Sequence, residues 1–161
     1  MKILVLSDSH AGRSFMRAAV QALKPQAIIH LGDYYDDGEV IAQENPHITV
    51  HQVPGNCDSF RCDPSVPKTL CYDVGGIRML MTHGHLYGVK TSRGRLEAEG
   101  RAMKAAAVLY GHTHEADCRQ DEDGMWILNP GSCGSFGGSV GLIETRDGVI
   151  VSCRILRQED F

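Results

Sequence analysis

Nowhere in these 161 residues does an apolar run approach the ~20 residues that a membrane span requires. The opening run Ile3-Leu4-Val5-Leu6 is too short for a signal-peptide core, ends in Ser7-Asp8, and has no small-residue cleavage site behind it. There is no Cys-x-x-Cys pair either. Cys57, Cys62, Cys71, Cys118, Cys133 and Cys153 are scattered, which argues against a zinc–thiolate site and against a disulfide framework. The expectation is a cytoplasmic protein with reduced thiols, the cysteines apart from Cys57 serving as small core hydrophobes. Positive charge is not in excess: 16 Lys and Arg against 20 Asp and Glu leave a formal charge of −4. That gives no strong nucleic-acid signal, because binding to a phosphate backbone depends on a basic face. No repeat, low-complexity tract or linker divides the chain, so residues 1–161 are expected to form one domain. A chain of this length buries roughly 70% of its unfolded surface and needs no crosslinks to sustain a core.

What is present is a regular alternation of apolar runs and turns. Lys2 to Leu6 reads as a buried strand, and Ser14 as the N-cap of a helix with Phe15, Ala18, Ala19, Ala22 and Leu23 on one side, stopped by Pro25. Ala27 to Leu31 is the next strand, Asp37 to Glu44 a short helix, and Ile48 to Val53 a third strand. Cys71 to Val74 and Ile77 to Met81 flank Gly75-Gly76 as a hairpin. Thr91 to Lys104 reads as helix and Ala107 to Tyr110 as strand. Trp126 to Leu128, Val140 to Ile143 and Val149 to Leu156 close the chain as strands, with a hairpin turn at Asp147-Gly148. Strand–helix alternation followed by a run of strands implies an α/β sandwich with mixed sheets.

Polar clusters sit at the C-terminal ends of five of these strands. They are Asp8-Ser9-His10, Gly32-Asp33, Gly55-Asn56-Cys57-Asp58, His83-Gly84-His85 and Gly111-His112-Thr113-His114. In open α/β sheets that edge is where ligands bind, so segments distant in sequence converge there. Each cluster alone is ordinary turn or capping chemistry; their common placement is what selects a metal centre. Asp8, His10, Asp33, Asn56, His83, His112 and His114 offer carboxylate, imidazole and amide donors, which suit borderline-to-hard divalent cations. Seven donors exceed the four of a structural zinc site, and with one carboxylate shared they imply two ions ~4 Å apart. Such a pair suits hydrolysis at phosphorus. It can bring the pKa of a bridging water from 15.7 towards ~7 and offset charge on the phosphoryl oxygens.

The order Asp-x-His, Gly-Asp, Gly-Asn, His, Gly-His-x-His from Asp8 to His114, with the later Asn129-Pro130-Gly131-Ser132, resembles the calcineurin-like metallophosphoesterase superfamily in its small bacterial and archaeal branch. The resemblance implies a four-layer α-β-β-α sandwich with two mixed β-sheets. It implies a first ion on Asp8, His10, Asp33 and His114 and a second on Asp33, Asn56, His83 and His112, with Asp33 as bridge. The ions would be Mn²⁺ first, with Fe, Zn or Ni as alternatives. The activity implied is that of a phosphodiesterase acting on a small phosphate ester through a metal-bridging hydroxide. The same fold also carries phosphomonoesterases, nucleotide pyrophosphatases and a non-catalytic retromer scaffold subunit. Most members have His where this chain has Cys57, a position read as contacting the scissile phosphate, and a thiol replaces an imidazolium poorly as clamp or acid.

Around the ligands, Asn56, Asp58 and His85 are the candidate catalytic residues. Asn56 would stabilise phosphoryl oxygens, Asp58 would orient a neighbouring imidazole or cap a turn, and His85 would contact substrate. Relatives place Arg or Lys shortly after Asn-Pro-Gly-Ser, whereas here none occurs until Arg146, and Arg13 is the alternative source of positive charge. Asp36 and Asp37 read as a solvated turn before a helix, Tyr34 and Tyr35 as cleft-flanking or locally packed aromatics, and the Gly-rich stretch 131–138 as a source of anion-binding N–H groups. His30, His47 and His51 receive no chemical role. A two-fold dimer is the default assembly.

Overall fold

In strand β1 (Lys2–Leu6) Ile3, Leu4, Val5 and Leu6 are all fully buried, and the two faces of the strand serve different cores. Side chains alternate along a strand. Ile3 and Val5 point between two sheets, with Ala27 and Ile29 beside them and Ile77, Met79, Met81 and Leu109 opposite. Leu4 and Leu6 point the other way, to Met16, Ala19, Val20 and Ile41 on helices α1 (Arg13–Leu23) and α2 (Tyr35–Glu44). An unbroken apolar run is what a strand covered on both faces requires.

The computed structural model describes residues 1–134 and 137–161. One sheet has the order β10-β9-β1-β2-β3, in which β1, β2 (Ala27–His30) and β3 (Thr49–Gln52) run parallel, β9 (Ser139–Arg146) pairs antiparallel with β1, and β10 (Val149–Arg157) pairs antiparallel with β9. The other has the order β4-β5-β6-β8-β7, built from β4 (Thr69–Val74), β5 (Ile77–Thr82), β6 (Ala107–Leu109), β7 (Asp117–Gln120) and β8 (Trp126–Asn129). Here β5, β6 and β8 are parallel and the two edges antiparallel. Leu96 of helix α3 (Gly94–Ala102) covers the outer face of this sheet through Leu80, Val108 and Ile127. The architecture is the four-layer α-β-β-α sandwich with two mixed sheets, and no helix among the described residues is long and apolar enough to cross a membrane.

Both expected hairpins are present, Val74 facing Ile77 and Arg146 facing Val149. Helix α3 is shorter than the expected Thr91 to Lys104 and β4 starts two residues before Cys71, and three further differences have local reasons. Helix α1 begins at Arg13 with Gly12 as N-cap and no side-chain cap, so Ser14 lies inside its first turn. Helix α2 begins at Tyr35, two residues before the expected start, because Asp58 Oδ1 accepts the Tyr34 and Tyr35 N–H groups from 24 and 23 residues away. Strand β7 was not expected at all. Its sequence Asp117-Cys118-Arg119-Gln120 carries no apolar alternation, and it exists by pairing with β8.

Candidate metal centre

The loops that follow β1, β2, β3, β5 and β6 meet at one end of the sandwich, and close backbone approach brings them together. A Cβ on Gly55 would collide with the Asp33 carboxylate, and one on Gly111 with the Ser7 hydroxyl. The ligand candidates themselves hold unusual backbone: Asp8, His10, Asp33, His112 and His114 all have positive φ, between 42° and 70°. Asp and His enter the left-handed region more readily than most residues, but each such position costs of order 1 kcal/mol. Strain gathered at five of seven candidate ligands marks a site shaped for something other than stability.

One atom each from Asp8, His10, Asp33 and His114 lie within 4.8 Å of one another, a spacing that one cation can bridge. Asp8 Oδ1 stands 3.1 Å from His114 Nε2, and His10 Nε2 stands 3.9 Å from Asp33 Oδ2. Asp8 Oδ1 and His10 Nε2 are nevertheless buried and make no hydrogen bond among the described residues, the His114 contact lacking hydrogen-bond geometry. Buried polar atoms without partners are uncommon and costly, and a cation at this point satisfies both.

Asn56 and His83 stand beside this group. His83 is fully buried, and its Nδ1 donates to Leu31 O at 2.8 Å. Its Nε2 faces three oxygens: Asn56 Oδ1 at 3.0 Å, Asp33 Oδ2 at 3.5 Å and Asp8 Oδ1 at 3.8 Å. The convergence of ligand-type atoms from four residues on one point is an arrangement that a bound cation would organise. The His112 ring lies 5.1 Å from that of His83, and its backbone N–H donates to Asp8 Oδ2 at 3.1 Å. The donor set therefore fits divalent metal. Burial alone would raise the Asp33 carboxyl pKa, but His83, the Cys57 N–H and His10 outweigh it and hold Asp33 below the usual carboxylate range.

The surrounding polar residues show what sequence reasoning resolved and what it did not. Asp58 contacts no imidazole among the described residues; it accepts N–H bonds from Asp33, Tyr34, Tyr35 and Gly55 at 2.6–2.9 Å, fixing the Asp33 turn against the Asn56 turn. His85 follows on a 3₁₀ turn, with its ring 5.5 Å from that of His83 and a buried Nδ1 without a partner. Burial, then His83 and Lys68, push its pKa down, so its imidazole is neutral at pH 7. Cys57 is exposed, and desolvation together with the Asp33 carboxylate pushes its thiol up, so it stays protonated.

Asp37 is not part of a solvated turn: it is fully buried and accepts from the Ser9 hydroxyl, the Ala11 N–H and Arg13 Nε. Arg13 thus braces the Asp8–His10 loop through Asp37 and does not supply the cleft with free positive charge. Tyr34 packs locally, edge-on to His10 at 5.1 Å beneath the Arg61 guanidinium at 3.6 Å. Asn129 Nδ2 donates to Gly111 O and Thr113 Oγ1, and the Ser132 hydroxyl donates to Asp8 O. The Asn-Pro-Gly-Ser segment therefore supports two ligand loops. Ser135 and Phe136 of the Gly-rich stretch lie outside the described residues.

Acid should loosen this end of the fold once metal is removed. Burial holds the fully buried His30 below its ordinary pKa, against partial opposition from Asp58, Asp8 and Asp37. His85 and His112 are pushed down by the same cause. Unfolded, each binds a proton below about pH 6.5 that the folded form excludes. Their contribution is therefore complete above that pH and is lost as pH falls towards the folded values, by up to ~1.4 kcal/mol per pH unit per group. Urea midpoints measured in chelator should fall from pH 7 to 5, whereas a flat profile would contradict the burial of these neutral rings.

A family model for the calcineurin-like phosphoesterase superfamily domain matches residues 1–148. A phosphodiesterase of Methanocaldococcus jannaschii is 26% identical over 162 aligned positions, covering 90% of this chain and 93% of that protein. Among solved structures, an uncharacterised predicted phosphoesterase of Streptococcus pneumoniae superposes with a TM-score of 0.75 at 24% identity, covering 99% of this chain and 90% of that one. Zinc-complexed Vps29 of Entamoeba histolytica superposes at 0.72 and 21% identity, covering 98% of this chain and 99% of that one.

Proposed function

The chain belongs to the calcineurin-like phosphoesterase superfamily, and from that premise we propose that it hydrolyses phosphodiesters at a dinuclear divalent-metal centre held by Asp8, His10, Asp33, Asn56, His83, His112 and His114. The observation that carries the reading is the pair of buried, partnerless atoms, Asp8 Oδ1 and His10 Nε2, inside a cluster of ligand atoms within 4.8 Å of one another. The similarity to a phosphodiesterase supports the reaction class. The Vps29 likeness is one of fold, and retention of all seven candidate ligands favours the enzyme over a scaffold. Bound there, two divalent ions, Mn²⁺ by preference, acidify water and offset charge on the phosphoryl oxygens.

The chain's own groups do the rest. Asn56 turns Oδ1 towards His83 Nε2, and its Nδ2 has only the weak Cys57 sulfur, 3.5 Å away, as acceptor. That N–H is free to donate to a phosphoryl oxygen. Neither Cys57 nor the neutral His85 is an effective acid at pH 7, so a poor leaving group departs without help. Cys57→His should therefore raise kcat on alkyl phosphodiesters by at least tenfold while bis(4-nitrophenyl) phosphate changes by less than about threefold, general acids contributing ~10²–10⁴ where a leaving group needs one. Equal changes on both esters would show that this position does not limit turnover.

Beside Asn56 and His85 lies a cavity of about 380 Å³, walled by Pro54, Pro64, Val66 and Cys62, with Asp63 and Lys68 at its polar side. Its size suits one ester arm. Lys68 makes no ion pair among the described residues and supplies positive charge that Arg13 does not. Lys68→Met should lower kcat/KM for a diester with an anionic arm by about fivefold, worth ~1 kcal/mol, and leave a neutral arm nearly unaffected. The reading as a whole is tested by hydrolysis of bis(4-nitrophenyl) phosphate: activity should vanish in chelator and return with Mn²⁺, and absence of hydrolysis of both diesters and monoesters with metal bound would refute it.

A further inference from the structure

β10 and β7 are each an edge strand of one of the two sheets, and they lie against each other at the margin of the inter-sheet core. There Cys118 Sγ stands 3.5 Å from Cys153 Sγ and 3.3 Å from Cys153 O. The sequence spacing, 35 residues, gave no hint of this pairing. Among the described residues no other two cysteine sulfurs are in contact, and Cys57, Cys62, Cys71 and Cys133 each stand apart from another thiol. We propose that Cys118 and Cys153 form a thiol–disulfide modification site, oxidised by exchange with a low-molecular-weight disulfide, whose bond staples the two sheets together at the strand that leads out of the His112–His114 loop.

The geometry needs little adjustment. A disulfide requires the sulfurs to close by about 1.5 Å, within reach of side-chain rotation on two strands already packed together. Both residues are half-buried, so neither is sealed from a small oxidant. The pair is also chemically unequal: its internal hydrogen bond lowers the Cys118 thiol pKa and raises that of Cys153. Cys118, as thiolate, attacks one sulfur of the external disulfide RSSR, forming a mixed disulfide and releasing RS⁻. Cys153 then gives up its proton, and its sulfur attacks the Cys118 sulfur and displaces the second RS⁻. Both thiolates leave as RSH, so two protein thiols lose two electrons and two protons and one RSSR becomes two RSH.

The test uses the whole chain and glutathione disulfide as the probe. After incubation, unreacted thiols are alkylated and peptides are mapped without reduction. A Cys118–Cys153 crosslinked peptide with loss of two hydrogens is expected, together with a rise in Tm of about 10 °C for closing a loop of this length. Dithiothreitol should reverse both effects, and Cys118→Ser and Cys153→Ser should each abolish both. Glutathione adducts on Cys118 without the crosslink, crosslinking through other cysteines, or a Tm rise that persists in the serine variants would overturn the proposal. The wild-type peptide map decides the matter even if a serine variant folds poorly.

Discussion

Asp33→Asn is expected to reduce phosphodiester hydrolysis by 10²–10³-fold or more, the scale of losing one preorganised electrostatic contact, and to leave the metal-free fold intact. Asp33 is nearly fully buried, and its Oδ1 accepts the Cys57 N–H at 2.9 Å, a bond that an asparagine oxygen can keep. What the substitution removes is charge. Without metal, the Asp33 charge is held by His83, the Cys57 N–H and His10, so neutralising it gives up a modest favourable interaction while the isosteric side chain preserves packing. The chelated variant should melt slightly below the chelated wild type without unfolding, and the rise in Tm that Mn²⁺ gives the wild type should largely disappear, because stabilisation by a ligand follows its affinity for the folded state. The left-handed backbone of Asp8, His10, Asp33, His112 and His114 reflects a trade of stability for a site. A variant that kept its activity, or one that unfolded in chelator, would contradict the role of Asp33 as the shared ligand.

Asp58→Ala should do the reverse, damaging the fold first and the chemistry through it. Two carboxylate oxygens accept four backbone N–H bonds there, from Asp33 at 2.9 Å, Tyr34 at 2.7 Å, Tyr35 at 2.9 Å and Gly55 at 2.6 Å. Asp58 is 1% exposed, so solvent cannot readily replace the lost acceptor. An unsatisfied buried donor costs ~1–3 kcal/mol, and several of these N–H groups will relax, so a loss of about 4 kcal/mol is expected. For a chain of this length that lowers Tm by about 10–15 °C. The Asp33–Tyr34 turn, held at positive φ by these bonds, should drift, and metal affinity should fall ~10–100-fold, as for other residues that orient a ligand. Asp58→Asn keeps one acceptor oxygen and should fall between. Circular dichroism melts in chelator separate the two substitutions: a large loss for Asp58→Ala and a small one for Asp33→Asn. An unchanged melt for Asp58→Ala would mean the turn is held by other contacts.

That contrast shows where sequence reasoning reaches and where it stops. Strand ends and glycine-flanked polar residues are local signals, so Asp8, His10, Asp33, Asn56, His83, His112 and His114 could be singled out, and the two faces of β1 could be read from one apolar run. Bonds made across the fold leave no such local mark. Asp37 follows Asp36 at a helix start and reads as solvated, yet it is buried because Ser9, Ala11 and Arg13 come to it from another loop. Asp58 reads as a companion of an imidazole or as a turn cap, and the bonds that settle this on the cap come from the Asp33–Tyr35 turn more than 20 residues away. Strand β7 has no pattern of its own and is formed by its neighbour, and the approach of Cys118 to Cys153 follows only from that strand's position. Asn129 and Ser132 stood out only as a motif; their partners, the Gly111 carbonyl and the Asp8 carbonyl, explain why a segment so far along the chain belongs with the ligands.

The most direct measurement is the number of metal ions per chain, determined by inductively coupled plasma mass spectrometry on protein loaded with Mn²⁺ and freed of excess. Two ions per wild-type chain, falling to one or none in Asp33→Asn, is the result predicted. One ion or none in the wild type, or two in the variant, would contradict the shared centre on which the proposed hydrolysis rests.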